Sequence, residues 1–225
     1  MPIGTSGAVK TLLPQELYDV NTTIILGNTY HLFLRPGHDL IHRCGGLHKF
    51  MNWGKSILTD SGGFQVYSLA KLNKISDEGV KFQSHIDGSS HFITPEISME
   101  IQRSLGADII MAFDVCPPGE ATKETVMSAV DQTTKWIKRC KDHLDSSQAL
   151  YDWNQTLFPI IQGGIYPELR KNSVEEMVPY STCGIGIGGL AVGEDKMAMF
   201  ENIAMLDELL PNDQPRYLMG VGRPT

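Results

Sequence analysis

The sequence is short of the features that most directly announce a function. Its four cysteines, Cys44, Cys116, Cys140 and Cys183, form no CxxC pair and lie far apart. Neither a zinc knuckle nor a disulfide framework can be read from them, and scattered thiols of this kind suit a reducing cytosol. No apolar run approaches the ~20 residues that span a bilayer, which predicts a soluble, cytoplasmic protein with no membrane partner. There is no Walker motif, no HExxH and no serine nucleophile elbow. Basic residues are in deficit: Lys+Arg 19 against Asp+Glu 26 gives a net charge of −7. Taken alone, that balance argues against a nucleic-acid partner, because phosphate binding wants a basic surface. Internal repeats and low-complexity segments are also missing.

What remains is the composition of a globular protein. Hydrophobic residues make up 41% and charged residues 20% of the 225, enough to bury a core and too apolar for disorder. The length allows one large domain or two small ones. The 22 glycines exceed the usual ~7%, and many of them close short apolar runs. Those runs are Met1 to Gly4, Thr23 to Gly27, Ile57 to Asp60, Asp108 to Asp114, Leu157 to Gly163, Gly184 to Gly189 and Arg216 to Gly222. Each is a few residues long and rich in Ile, Val or Leu, which suits buried parallel strands.

Helical patterns lie between them. Thr94-Pro95-Glu96 places a capping threonine before a proline at the first helical position, and the pattern runs to Leu105 before Gly106 stops it. Glu120 to Leu144, Tyr166 to Val178 and Asp195 to Leu210 read similarly. Lys81 to Thr94 breaks the rhythm by alternating as a hairpin, with Asp87-Gly88-Ser89-Ser90 as its turn. Seven strands in βα order point to a parallel sheet covered by helices. A doubly wound sheet would want a phosphate loop after an early strand, whereas Gly184 to Gly189 comes late. A (β/α)8 TIM barrel places its chemistry at the C-terminal strand ends, where Asn28, Asp60, Asp114, Gln162 and Gly189 fall. The expectation is therefore one irregular, incomplete TIM-barrel domain over residues 1–225, with a hairpin insertion at about 81–94. Met1 leads straight into a strand and Thr225 follows the seventh at once, so the chain reads as cut at both ends and short of its last strand.

Three strand-end residues carry potential chemistry. Asp60, followed by Ser61-Gly62-Gly63, sets a carboxylate beside unshielded backbone N–H groups, suited to gripping a small polar ligand; the bland alternative is a turn cap. Asp114, ahead of Cys116-Pro117-Pro118, has the same two readings. Gln162 offers a donor and an acceptor together, as heterocycle recognition requires. Two carboxylates, an amide and a glycine-rich backbone complement a purine-like edge. His31 is the one histidine near a strand end and, alone, fits a core hydrogen-bonding role.

These residues carry a resemblance. Ile25-Leu26-Gly27-Asn28-Thr29-Tyr30-His31-Leu32, Leu58-Thr59-Asp60-Ser61-Gly62-Gly63-Phe64-Gln65-Val66, Ile160-Ile161-Gln162-Gly163-Gly164, Gly188-Gly189-Leu190-Ala191-Val192-Gly193-Glu194 and Tyr217-Leu218-Met219-Gly220-Val221-Gly222 resemble the successive strand-end motifs of the tRNA-guanine transglycosylases, the queuine tRNA-ribosyltransferases. The resemblance implies an irregular TIM barrel with a zinc-binding insertion near its C-terminus. It implies exchange of guanine at the wobble position of tRNAs with GUN anticodons, those for Asp, Asn, His and Tyr. The incoming base is a 7-deazaguanine, on the way to queuosine. In the family an aspartate on the eighth strand attacks the ribose anomeric carbon, and a covalent enzyme–tRNA intermediate forms, with the logic of a retaining glycosidase.

Carried over by motif, Asp60 resembles the general acid/base. Asp114 resembles the carboxylate that pairs with the ring N–H and exocyclic amine, and Gln162 with the Gly189 N–H matches the readers of the carbonyl oxygen. Phe64 and Met219 match the groups that sandwich the ring, and Ser61, Gly62 and Gly63 complete the loop beneath it. Asn28 matches a residue that orients Asp60. Cys116 and Val192 resemble the bacterial members, whose pocket takes 7-aminomethyl-7-deazaguanine (preQ1), with the Leu190 carbonyl receiving the aminomethyl group. Gly220, Val221, Gly222 and Arg223 begin a tRNA-contacting loop. The target guanine must leave its stack to react. Departures are Val115 in place of a common glutamate, Pro117-Pro118-Gly119 in place of Thr-Pro-Tyr, and Phe64 in place of a frequent tyrosine. The nucleophile and the zinc ligands, three cysteines and a histidine, are expected beyond Thr225, so this chain alone is expected not to form the covalent adduct. The family also implies a homodimer. Two other readings stay open: a noncatalytic partner subunit that binds tRNA or the catalytic subunit, and an unrelated barrel lyase or hydrolase.

Overall fold

The computed structural model describes residues 1–69 and 73–221. The chain is a mixed α/β protein in which parallel strands alternate with helices, and its backbone separates into two compact units. The first comprises Met1–Phe113 and Cys140–Thr156, and the second Asp114–Arg139 and the chain from Leu157 on.

The first unit runs α1 (Pro14–Asp19), β1 (Ile24–Gly27), α2 (Thr29–Leu34), α3 (His38–Arg43), α4 (Gly46–Met51), β2 (Ser56–Thr59), α5 (Gly63–Leu69), β3 (Asn73–Ile75), β4 (Val80–Gln83), β5 (Ser90–Ile93), α6 (Pro95–Leu105) and β6 (Ile109–Met111). β1 pairs in parallel with β2, Gly27 opposite Thr59, and β2 pairs in parallel with β6, Leu58 opposite Ile109. Ile25, Leu26, Ile57, Leu58, Ile110 and Met111 are all buried, as expected of strands covered on both faces. The expected strand over Met1 to Gly4 is reduced to one bridge between Ile3 and Leu26.

The start of α6 follows its sequence signature. Thr94 Oγ1 accepts the Ile97 N–H (3.3 Å) ahead of Pro95, and Gly106 ends the helix in the left-handed region at φ +71°. From this helix Gln102, fully buried, accepts the Thr59 hydroxyl (2.9 Å) and the Met111 N–H (3.0 Å) and donates to the Met111 carbonyl (2.9 Å). One amide thus ties the ends of β2 and β6 together, just where β2 delivers Asp60.

The hairpin read over 81–94 is present as antiparallel β4 and β5, with β3 added as a third strand. Its loop is longer than the four residues expected. Ser84 N–H bonds the Ser89 carbonyl (2.8 Å), and Ser90 already belongs to β5.

In the second unit, α7 (Lys123–Ser146) contributes residues 123–139, its last turns belonging to the first unit. There follow β7 (Thr156–Phe158), which begins in the first unit, then β8 (Ile160–Ile161), α8 (Pro167–Met177), β9 (Ile185–Ile187), α9 (Lys196–Leu209) and β10 (Arg216–Leu218). β8 pairs in parallel with β9 and β9 with β10. Two expectations are corrected here. The single strand over Leu157 to Gly163 is split at Pro159, which has no N–H for a ladder; its carbonyl still accepts the Gly186 N–H (2.8 Å). The helix expected from Glu120 starts at Lys123, because Ala121 N–H closes a turn on the Pro118 carbonyl (3.0 Å) and Thr122 Oγ1 accepts the Thr125 N–H (3.4 Å) as the cap.

Candidate active site

Each unit carries one buried carboxylate just past an apolar strand. In the first, the in-register pairing of Gly27 with Thr59 places Asn28 and Asp60 at corresponding positions beyond β1 and β2. Asp60 is 6% exposed, and its two oxygens accept from at least four N–H groups of the described residues. Oδ1 accepts Thr29 N–H (2.9 Å) and Gly62 N–H (3.2 Å), and Oδ2 accepts Asn28 Nδ2 (2.5 Å) and Gln65 Nε2 (3.1 Å). Its own carbonyl accepts the Thr29 hydroxyl (2.5 Å). A carboxylate accepts through both oxygens at once, and bonds to a charged acceptor are the strong ones, so this side chain is fixed from both sides.

The loop that follows is held as tightly. Ser61 Oγ accepts Gly63 N–H (3.1 Å) and the Ser61 carbonyl accepts the Ser98 hydroxyl (3.3 Å). Gly62 sits at φ +78°, with Tyr30 N only 3.4 Å from where a Cβ would stand. Phe64, by contrast, is 42% exposed while Val66 on the same helix is buried, which leaves an aromatic face uncovered. His31 has another setting: its ring meets Tyr30 and His85 edge-on. Burial lowers the pKa of its imidazole, and repulsion from His85 and Lys10 lowers it further.

In the second unit Asp114 (5% exposed) accepts Gln162 Nε2 at 2.7 Å. Gln162, one residue past β8, is 1% exposed, and its backbone N–H is taken by the Ser173 hydroxyl (3.0 Å). The bond to Asp114 fixes which end of the amide faces the carboxylate, and Oε1 is left buried without a hydrogen-bond donor. The glycines past β9 close against this amide. A Cβ on Gly188 would stand 2.7 Å from Gln162 Nε2, and one on Gly189, at φ +64°, would stand 2.3 Å from Oε1, so a side chain at either position would have to displace the amide. Cys116 is buried in the same group, and its thiol is pushed up to about 12 by burial first and then by the Asp114 charge.

Leu190 is buried (2% exposed). Ala191 follows at φ +59°, where the Glu194 carboxylate accepts the N–H groups of Ala191 and Val192, the latter at 2.9 Å. The Val192 carbonyl takes the Gly119 N–H (3.1 Å), which ties down the Pro117-Pro118-Gly119 segment. Met219, past β10, donates its N–H to the Ile187 carbonyl (3.0 Å); Gly220 turns at φ +79° and Val221 is exposed. Gly222 and Arg223 lie outside the described residues.

The structure thus gathers Asn28, Asp60, Ser61, Gly62 and Gly63 in one unit and Asp114, Cys116, Gln162 and Gly189 in the other. Sequence reasoning missed Thr29 and Gln65 as partners of Asp60, and Arg170, Ser173 and Glu194 as supports of the second group. Arg170 had a signal. It recurs in phase with Ser173, Val174 and Met177 on the buried side of α8, a position where an arginine needs a reason. Among the described residues no three His, Cys, Asp or Glu side chains come together as metal ligands, and no helix is long and apolar enough to cross a membrane.

Comparison with known proteins bears on this geometry. The family model described as queuine tRNA-ribosyltransferase matches residues 1–225. Proteins named queuine tRNA-ribosyltransferase from Desulforamulus reducens and Fusobacterium nucleatum are 54% identical over 225 residues and 53% identical over 226, each match covering the whole of this chain and 59% of the relative. One from Staphylococcus aureus is 53% identical over 224 residues, covering 58% of its own length. The chain therefore spans a little under three fifths of the curated relatives it matches.

Proposed function

Since the chain belongs to the queuine tRNA-ribosyltransferase family, we propose that it is the base-binding part of a tRNA-guanine transglycosylase. Such an enzyme exchanges the wobble guanine of tRNAs with GUN anticodons for a 7-deazaguanine, with preQ1 the base that Cys116 and Val192 favour. The observation that carries this reading is Gln162. A buried amide that donates to one carboxylate and keeps an acceptor without a donor, against a glycine backbone, is a hydrogen-bonding face in want of a polar heterocycle. In this reading Asp114 accepts from the ring N–H and exocyclic amine of the base, and Gln162 with the Gly189 N–H reads the carbonyl oxygen. The Leu190 carbonyl serves the 7-substituent, while Phe64 and Met219 offer an aromatic face and a thioether for stacking.

Asp60 is the general acid/base. It gives a proton to the departing guanine and takes one from the entering base, and the four N–H groups around it hold its carboxylate at one position while it does so. The attacking carboxylate of the covalent step is assigned to no residue of this chain. The fold class proposed is the irregular (β/α)8 barrel, supported by the βα order and the parallel pairing within each unit. Residues 220–223 begin the proposed tRNA loop, and a homodimer is the proposed assembly. The family's structural zinc finds no ligand set among the described residues, so no step is assigned to it.

The test is incorporation of radiolabelled guanine into unmodified tRNA by the full-length protein that carries this chain, compared with its Asp60→Asn variant. Label entering tRNA with the wild type alone supports the reading. Equal incorporation by both removes Asp60 from the chemistry, and incorporation by neither favours a noncatalytic subunit.

A further inference from the structure

Arg170 on α8 is fully buried and directs its guanidinium at backbone. Nε donates to the Gly164 carbonyl (2.8 Å), Nη1 to those of Ile161 (3.3 Å) and Gly188 (2.7 Å), and Nη2 to that of Gly189 (3.0 Å). None of these bonds goes to a carboxylate. Burial pushes the guanidinium pKa down to about 10, the mark of a charge held at a cost. Meeting these carbonyls does not by itself require a charge, because a neutral amide also donates to backbone acceptors. The charge therefore calls for a different explanation, and the peptides that it grips supply one.

Two of the four carbonyls belong to the consecutive peptides Gly188–Gly189 and Gly189–Leu190, both trans. In a planar trans peptide the C=O and N–H point in opposite directions. With both carbonyls drawn to Arg170, the N–H groups of Gly189 and Leu190 face away from it, and the Gly189 backbone lowers the pKa of the Cys116 thiol against the larger effect of burial, beside the Asp114 and Gln162 pair. A cation behind a peptide's carbonyl also draws its electrons and strengthens the N–H as a donor.

We propose that Arg170 is a positioning residue that aligns and polarises the Gly188–Gly189–Leu190 peptides so that their N–H groups stabilise the purine as an anion when it leaves the ribose. This rests on the base-exchange reading above. As the C1′–N9 bond breaks, its electron pair passes to the purine and spreads over the ring to the carbonyl oxygen, while C1′ gains a bond to the attacking carboxylate. The purine becomes neutral again by taking a proton from the general acid. Donors fixed beforehand at the oxygen where charge develops are the most effective form of such stabilisation.

The experiment is calorimetric titration of the full-length protein that carries this chain with guanine and with 8-azaguanine, whose more acidic ring N–H makes it an anion in mildly alkaline buffer. Wild type, Arg170→Gln and Arg170→Lys are compared, each with a melting curve. The wild type is expected to bind the anion more tightly than guanine. Arg170→Gln should lose about tenfold of that preference, the difference between a hydrogen bond to a charged and to a neutral acceptor. Arg170→Lys, which keeps the charge without the fork, should weaken both bases and retain the preference. A folded Arg170→Gln with the wild-type ratio of affinities overturns the proposal, as does an Arg170→Lys that binds both bases like the wild type if Arg170→Gln does not fold. A wild type that binds the two bases equally defeats this inference alone, whereas one that binds neither defeats the base-binding reading beneath it.

Discussion

Asp60 and Asp114 occupy similar places, just past apolar strands and nearly buried, yet the amides beside them are used differently. Asp60 receives four N–H groups, two from backbone and two from the side chains of Asn28 and Gln65. Its nearest neighbours already satisfy it. The Asp114 group centres on an amide, Gln162, that spends one end on the carboxylate and leaves the other without a donor in a place water does not reach. The first arrangement suits a group that must keep one position through repeated proton transfers. The second suits a group waiting for a partner, because a buried unmet acceptor costs about 1–3 kcal/mol until something donates to it. In the proposed reading the contrast assigns the first carboxylate to chemistry and the second group to recognition, a division that burial alone does not give, since both are buried alike.

Four changes can break or sharpen this comparison. The largest effect is expected for Arg170→Met, which strips four carbonyls of their donor beneath the Gln162 group. Unfolding free energy from urea denaturation should fall by ~3–5 kcal/mol, the scale for breaking a buried charged network. A loss under 1 kcal/mol would mean that the glycine turn holds itself. Next, Asn28→Ala removes one of the four donors to Asp60. A loss of ~1.5–3 kcal/mol is expected by the same measurement, with the remaining three donors still holding the carboxylate; a larger loss would show that Asp60 is less over-determined than its bonds suggest.

Gly189→Ala comes third. It puts a Cβ 2.3 Å from Gln162 Oε1 at a φ of +64°, with ~1–3 kcal/mol of backbone strain, and should weaken guanine binding in a titration without disturbing Asp60. The smallest effect concerns a control pair outside both groups, His48 and Asp108. His48 Nε2 lies 3.2 Å from Asp108 Oδ2, and the Ile57 N–H also donates to that oxygen (2.7 Å). The bond to Asp108 raises the His48 pKa above its ordinary 6.5, although burial opposes it. Burial pushes Asp108 upward, but the bonds from His48 and Ile57 outweigh it and hold the carboxyl below its ordinary 3.8.

The signs follow from linkage. The His48 contribution is complete below 6.5 and fades as pH rises through its raised value, whereas the Asp108 contribution is complete above 3.8 and fades as pH falls through its lowered one. Stability should therefore be greatest between those limits, by no more than about 1 kcal/mol for so exposed a pair. His48→Gln should flatten the alkaline limb of a melting-temperature profile.

Much of this was legible in the sequence because it depends on local rules. Short apolar runs closed by Gly, Asp or Gln marked β1, β2, β6, β9 and β10, and Thr94-Pro95 and Asp195 marked two helix starts by capping chemistry alone. The strand ends then pointed to Asn28, Asp60, Asp114, Gln162 and Gly189. What was not legible depends on tertiary packing. The short helices α1 to α5 are six or seven residues long, too brief for a helical period to emerge. Pro159 interrupts a run whose hydrophobicity reads as one strand. Gln65 was quoted within a motif but could be tied to Asp60 only once α5 turned it back, and Arg170 was an arginine in a helix until its carbonyl partners were seen. The net charge of −7 points away from the proposed tRNA partner, but a sum over the chain says nothing about how one face of it is charged.

The central claim, that Asp60 serves chemistry and the Asp114 and Gln162 group serves recognition, is tested most directly by the kinetics of guanine exchange in the full-length Asp60→Asn protein. The account predicts a kcat lowered about 10²–10⁴-fold, the range for losing a general acid/base, with the KM for guanine nearly unchanged. A raised KM with kcat intact would contradict it.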